Sequence, residues 1–341
     1  MKYVFCLGEV LIDFTSAGEL LGGAPLFEQN AGGAPANVAC ALSRLGTSAY
    51  MCAKVGTDMF GSYLRRTLEA EGVNSENLYE DSDAATTLAF VALDKNGERS
   101  FAFVRNPGAD TRLRFDEVNL QYLRQAAVLH FGTLSLTHEP SRTTLMQAVA
   151  LARTVGVTTS IDVNLRLRLW ENMGLAHAQL HKILPWCDVV KLSCEELNFA
   201  FQARSCTDIL NRALVPELAV LLMDKYPQIQ LLCVTLGSEG SMAFFRSGAS
   251  RIVNQVEVAA FKVAAVDTTG AGDAFMAGML HKMLEFAGLE EFLGQGDNMA
   301  TALQFANACA ALCVTKRGAI AAMPYIGEVD FLLKTRRTTD V

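Results

Sequence analysis

Proline and tryptophan are scarce in this chain, 8 and 2 among 341 residues, and charged residues reach only 19%. No Pro- or Ser-rich tract, low-complexity run or internal repeat divides the sequence, so one main domain spanning 1–341 is expected. Positive charge is also short: 29 Lys and Arg face 36 Asp and Glu, a formal net charge of −7. The adjacent arginines are confined to Arg65-Arg66 and Arg336-Arg337. With no basic patch to offset repulsion from phosphates, a nucleic-acid partner is not expected. Membrane-length apolar runs are missing too. The uncharged stretch from Asn298 to Thr315 carries Gln304, Asn307 and many alanines, so it reads as a close-packed buried helix. The N-terminus reaches a charge at Glu9, too soon for a secretory leader. A soluble, cytoplasmic protein without a membrane partner is the expectation.

The 9 cysteines are odd in number, and Cys6, Cys40, Cys52 and Cys233 among them sit in apolar runs, which favours reduced, buried thiols over a disulfide framework. Cys309 and Cys313 are one helical turn apart and read as small hydrophobes on a packed face. His177 and His181 share that spacing without a zinc-protease carboxylate, so a solvated helix face is expected.

Apolar residues make up 51% of the chain, enough for a sizeable core. Apolar runs of strand length alternate with segments of helical period, the pattern of an α/β fold with a mostly parallel sheet. Strands are predicted at Val128–Phe131, Thr158–Val163, Val189–Leu192 and Leu231–Thr235. Helices are predicted at Pro35–Leu45, Ser141–Val155, Asn172–Leu184 and Cys194–Phe201, with Asp58 capping another that ends at Gly72. Around Asn96-Gly97, Thr86–Leu93 and Arg99–Arg105 alternate as a hairpin. Two strands alone are marginal in water. Leu11–Thr15 and Leu26–Asn30 can add two more, giving a small β-lid from about 11–30 and 86–110.

The stretch Asp267-Thr268-Thr269-Gly270-Ala271-Gly272-Asp273 opens a helical pattern. Small residues before a helix let backbone N–H groups approach an anion. A carboxylate there fits poorly with simple phosphate binding, because two negative charges repel. It fits if Asp273, acidified by the helix end, takes a proton from an attacking hydroxyl while the amides of Gly270, Ala271 and Gly272 stabilise a transferring phosphoryl group. Read alone, the same residues equally fit a carboxylate that merely caps a helix. No Gly-x4-Gly-Lys-Ser/Thr occurs, which excludes P-loop chemistry.

These residues resemble the C-terminal motif of the ribokinase-like (PfkB) carbohydrate kinases. Gly32-Gly33-Ala34-Pro35-Ala36-Asn37-Val38-Ala39 resembles their N-terminal motif, in the right order. The resemblance runs from about Leu7 to Pro324. It implies a ribokinase-like fold, an ATP- and Mg²⁺-dependent kinase, and Asp273 as catalytic base. By the same resemblance Asp13, Gly32, Gly33 and Asn37 contact the sugar. Asp162-Val163-Asn164-Leu165-Arg166 resembles the Asp-Pro-Asn-x-Arg segment of fructokinases without its proline, placing Asn164 and Arg166 toward sugar and phosphate. Lys191, Ser193 and Glu196 match an Asn-x-x-Glu nucleotide motif in which Ser193 replaces Asn and Glu196 organises magnesium waters. Thr235, Gly237 and Gly240 resemble the loop cradling the ATP phosphates, and Asn307 a residue beside adenine. A monovalent cation, K⁺ by the same resemblance, would be ligated from Asp267, Thr269, Cys313, Lys316 and Gly318.

Arg105-Asn106-Pro107-Gly108-Ala109-Asp110, Gly8–Phe14 and Lys316–Ala319 resemble fructokinase segments, implying transfer to a primary hydroxyl of D-fructose. 2-Keto-3-deoxygluconate kinases also carry an arginine near Arg105, where it meets a carboxylate. That activity, a nucleoside or aminoimidazole riboside kinase, and a catalytically silent sugar- or nucleotide-binding regulator stand as alternatives. The pattern also predicts Leu88, Phe90, Ala92, Phe101 and Phe103 on one face, and a homodimer that clasps through the lid.

Overall fold

In the first strand, Val4 and Cys6 point to one side while Phe5 and Leu7 point to the other, and all four are buried. A strand buried on both faces belongs in the middle of a layered α/β domain. The computed structural model describes residues 2–19, 23–93, 99–202, 212–248, 252–294 and 296–339. In chain order its strands are β1 (Tyr3–Leu7), β2 (Leu11–Glu19), β3 (Pro25–Gly32), β4 (Ser48–Gly56), β5 (Asn74–Asp81), β6 (Leu88–Leu93) and β7 (Arg99–Val104). They continue as β8 (Val128–Gly132), β9 (Thr158–Asp162), β10 (Val189–Ser193), β11 (Leu231–Thr235), β12 (Gly240–Phe245) and β13 (Asn254–Ala259).

The large sheet runs β13-β12-β11-β10-β9-β8-β1-β4-β5 and is parallel except at β12 and β13. One face packs on the helices Ala34–Arg44, Ala271–Leu284 and Gly296–Cys313. The other packs on Ser141–Thr154, Met173–Ile183 and Val215–Lys225. The uncharged Asn298–Thr315 stretch is thus a buried helix, and no helix of the described residues is long and apolar enough to cross a membrane. The eight described cysteines are free, and Cys309 and Cys313 are buried on the packed face; Cys206 lies outside the described residues.

The second sheet runs β3-β2-β6-β7, with β2 and β6 parallel. All four lid strands expected from the sequence are present, while the Asn96-Gly97 turn lies outside the described residues. Asp58 joins the two sheets. It caps the helix Met59–Ala70 by accepting from the N–H groups of Phe60 and Gly61 at 3.0 and 2.8 Å. It also accepts from the Thr86 N–H and hydroxyl, both at 2.8 Å, just before β6.

Two expectations are corrected. The register sets Ala89 opposite Phe103 and Phe90 opposite Ala102. Directly paired residues share a face and neighbours alternate, so Phe103 and Phe90 lie on opposite faces of the lid. His177 and His181 do not form a solvated face. Both are half-buried, with Nε2 atoms 2.9 Å apart and 3.2 and 2.7 Å from the Ala200 carbonyl oxygen. They thereby cover a last-turn carbonyl of the helix Cys194–Gln202, a group that has no partner within the helix itself.

Candidate active site

β1, β8, β9, β10 and β11 all end on one rim, the edge of a parallel sheet where ligands bind. A cavity of about 550 Å³ opens over this rim. Leu11, Asp13, Thr15, Ala89 and Phe103 of the lid face it, opposite Asn37, Asn164, Lys191, Glu196 and Asp273. Residues separated by more than two hundred positions meet here because each lies at a strand end or a helix start.

Asp273 is buried in the first turn of Ala271–Leu284, after Gly270 in the left-handed region at φ 80°. The Asn37 amide donates to its Oδ2 at 2.7 Å and the Asn164 amide to its Oδ1 at 3.2 Å. Burial, then the neighbouring Asp162, pushes this carboxyl up to about 7, against opposing effects of Asn37, Lys191 and Arg166. The helix end was expected to acidify Asp273, but desolvation outweighs it. A carboxyl poised near neutrality, fixed in orientation and facing a cavity, is suited to general-base work.

Asn164 holds its amide with φ at 39°, the sole positive φ outside glycine among the described residues. Such conformations persist where the surroundings over-determine them, and here the Asp273 bond is one constraint. Arg166 is exposed on the same loop and lines the cavity. Lys191 lies beneath the glycine turn, with Nζ 3.0 Å from both Asp162 oxygens. Burial opposes its charge, but Asp162 and Glu196 more than compensate and raise its pKa. A Cβ at Gly272 would stand 2.7 Å from that Nζ, so a larger residue there would push the ammonium aside. Ser193 and Glu196 form a reciprocal cap: the Ser193 hydroxyl accepts from the Glu196 N–H at 3.2 Å, and Glu196 accepts from the Ser193 N–H at 2.8 Å. The second Glu196 oxygen accepts from the Leu165 N–H at 2.6 Å.

Asp13 sits across the cavity. Burial pushes its carboxyl up to about 6, relieved by Arg166 and reinforced by Asp267. A Cβ at Gly32 would come within 2.3 Å of its Oδ2, so the first motif glycine makes room for this acid. Gly33 lines the cavity beside it.

Several predicted residues lie elsewhere. Arg105 does not line the cavity. Its Nε and Nη2 donate to Asp110 at 2.9 and 2.6 Å, Nη1 donates to the Thr137 hydroxyl at 2.8 Å, and Nη2 also reaches the Leu134 carbonyl at 3.4 Å. A guanidinium so consumed braces the end of the lid and has no fork free for a ligand. Thr235 lines the cavity, but Gly237 and Gly240 shape the turn from β11 to β12 outside it. Asn307 is buried, accepting from the Ser241 hydroxyl at 2.8 Å and donating to the Val258 carbonyl at 3.0 Å, so it ties its helix to the antiparallel edge.

Four of the five cation candidates are joined by hydrogen bonds, and the fifth, Lys316, has only its backbone carbonyl to offer a cation. Asp267 accepts from the Thr269 N–H and hydroxyl at 3.0 and 2.7 Å and from the Gly318 N–H at 3.2 Å, while the Cys313 thiol donates to the Thr269 carbonyl at 3.5 Å. The Lys316 side chain instead pairs with Glu328 at 2.7 Å. The sequence reading gave no task to two acids at the site, Glu9 of the cavity lining and Asp162 beneath it. Asp162 holds Lys191, and Glu9 follows β1; both stood inside motifs read for their neighbours.

A family model for pfkB family carbohydrate kinases matches residues 1–326. Fructokinase-1 of Zea mays is 41% identical over 337 residues, covering 98% of each chain. The crystal structure of a Xylella fastidiosa fructokinase with bound ATP superposes with a TM-score of 0.86 at 33% identity, over 98% of this chain and 99% of that one. A Vibrio cholerae fructokinase double mutant with fructose, ADP and potassium ion bound superposes at 0.81 and 30% identity, over 97% of both. With its glycine turn, buried Asp273 and lidded rim, this chain belongs to the pfkB family of carbohydrate kinases.

Proposed function

We propose that this protein transfers the γ-phosphoryl group of ATP to a primary hydroxyl of D-fructose. The observation that carries this reading is Asp273, a buried carboxyl fixed by Asn37 and Asn164 in one cavity with a second acid, Asp13. In the proposed reaction the hydroxyl passes its proton to Asp273 as its oxygen attacks the γ-phosphorus, and the bond to the ADP oxygen breaks. In this reading the backbone amides of Gly270 and Gly272, which line the cavity with Lys191 and Arg166, take up negative charge on the moving group. The Ala271 N–H donates to the Thr268 carbonyl at 3.4 Å and turns to the phosphoryl group only as that group arrives. Asp13, Gly33, Asn37 and Phe103 hold the sugar, and Asn164 steers the base.

Thr235, Ser193 and the turn at Gly237 and Gly240 support the nucleotide on the far side. Glu196, fixed by two backbone N–H groups and lining the cavity, fits the role of holding magnesium-bound water. The ion itself supplies positive charge to the phosphates. The Asp267, Thr269, Cys313 and Gly318 cluster supports a monovalent cation site under the turn, with one carboxylate and nearby carbonyl oxygens as hard ligands.

Charge favours fructose over a sugar acid. Glu9, Asp13 and Asp273 line the cavity, and Arg105 commits four of its five N–H groups to Asp110, Thr137 and Leu134, outside the cavity. A silent regulator would have no use for a tuned base. Free, mostly buried thiols support a reducing, cytoplasmic setting. Coupled ADP release with fructose, ribose, ketodeoxygluconate and nucleosides tests the reading. Fructose should give the highest kcat/KM; higher values for ketodeoxygluconate or a nucleoside, or no ADP release with any, would sink it.

A further inference from the structure

Glu9 is 4% exposed and lines the cavity with Asp13, Asn37 and Asp273. Its Oε1 accepts from the Ala34 N–H at 3.1 Å, at the start of the helix that carries Asn37. Its Oε2 is enclosed without a hydrogen-bond partner. The Asn37 Oδ1 is in the same condition, since the other amide atom of Asn37 is committed to Asp273. Buried polar atoms in native proteins almost always have partners, so unpaired atoms on residues that line a ligand cavity point to polar groups that a ligand would bring.

Building on the fructose reading, we infer that Glu9 Oε2 takes a hydroxyl of the sugar, beside one read by Asn37, and is a specificity-determining contact for the acceptor. Protonation narrows the ligand chemistry. Burial pushes the Glu9 carboxyl up to about 7, and Asp110 adds to this, while its own N–H, Arg105 and the Ala34 N–H oppose it. Acid and carboxylate are therefore both populated near neutral pH. A hydroxyl suits either form, donating to the carboxylate and accepting from the acid. An ammonium suits only the carboxylate; a ligand carboxylate or phosphate suits only the acid and is repelled by the ionised form. A site built to pair a hydroxyl discriminates strongly against an analogue without it, because its own buried atom is then left unpaired.

The competing explanation is that Glu9 serves only to anchor the helix through Oε1. Steady-state kinetics with fructose and a set of monodeoxyfructoses, on the wild type, Glu9→Ala and Glu9→Gln, separate the two. Glu9→Ala should raise the fructose KM about tenfold or more, with the ATP KM unchanged. One deoxy sugar that is poor for the wild type should be as good as fructose for this variant. Glu9→Gln, which keeps an oxygen for Ala34, should fall between. If ATP and fructose KM move together, or every deoxy penalty survives in Glu9→Ala, the residue is only an anchor. Should the variants fail to fold, a fructose-bound structure decides: no sugar oxygen within hydrogen-bond reach of Oε2 overturns the inference. A wild type inactive on fructose sinks both this and the proposed function, whereas an active one with unaltered deoxy penalties sinks Glu9 alone.

Discussion

Asp273 and Asp13 are both acids pushed upward by burial, yet their tasks predict different kinetic signatures. Asp273→Asn keeps the size of the side chain and removes the proton acceptor. Turnover should fall roughly 10²–10⁴-fold while ATP still binds; near-normal turnover would remove Asp273 from the chemistry. In the wild type the base must be ionised, and its carboxyl is raised to about 7. The fructose kcat/KM should therefore rise with pH through that value and drop about tenfold per unit below it. A profile flat across neutral pH contradicts this. Asp13→Ala strips an acceptor from the sugar alone, so the fructose KM should rise about tenfold or more with the ATP KM nearly constant. A joint rise of both would mark Asp13 as structural.

At the scale of elements, the lid is tied to the main sheet by a cap that serves twice. Asp58 holds the first turn of Met59–Ala70 and the entry to β6 through four hydrogen bonds, two at Thr86. Burial alone would raise its pKa, but the N–H groups of Thr86, Gly61 and Phe60 outweigh this and lower it. A lowered folded-state pKa contributes stability above the ordinary carboxylate range, and that contribution is lost as pH falls through the lowered value. Asp58→Ala should thus cost roughly 1–2 kcal/mol in urea unfolding at neutral pH, with the difference shrinking in acid. An equal difference at both pH values would mean the cap acts without its charge. The loop after β9 uses the opposite device. Asn164 takes an unfavourable φ in the same place where its amide meets the base.

For the whole molecule, the open question is what covers the outer face of the lid. There Phe14 stacks on Phe90 at 5.0 Å and Phe27 meets Phe90 edge-on at 5.7 Å. Phe27 and Val104 are 40 and 54% exposed, so the apolar face continues into solvent. We propose that a second copy of the chain covers it and clasps lid to lid. Light scattering should give a dimer at micromolar concentration, and Phe27→Glu should give a monomer that retains its fold. A wild-type monomer would refute the clasp. Phe103 is the wrong place to test it, since it faces the cavity. The cation cluster has its own test: potassium should raise activity above that in sodium- or choline-only buffer, and equal rates would refute it.

The sequence by itself determined the four central strands β8 to β11, the lid strands, several of the flanking helices, the glycine turn before Asp273 and the family. Strand length, helical period and helix caps are local properties, and the two glycine motifs are contiguous. Placement of the helix Ser141–Thr154 needed nothing beyond its period, and Met173–Ile183 adds a local cap from Asn172. Facing and burial were decided only in the tertiary structure. The face of Phe103 depends on which residue of β6 it opposes, a register no local pattern fixes. Arg105 is consumed by Asp110 and Thr137, and Thr137 lies 32 residues further along the chain. Asp273 and Glu9 lost their ordinary acidity because other segments close over them. A carboxylate's neighbours in sequence say little about the water it will lose when the chain folds, and that loss sets its chemistry.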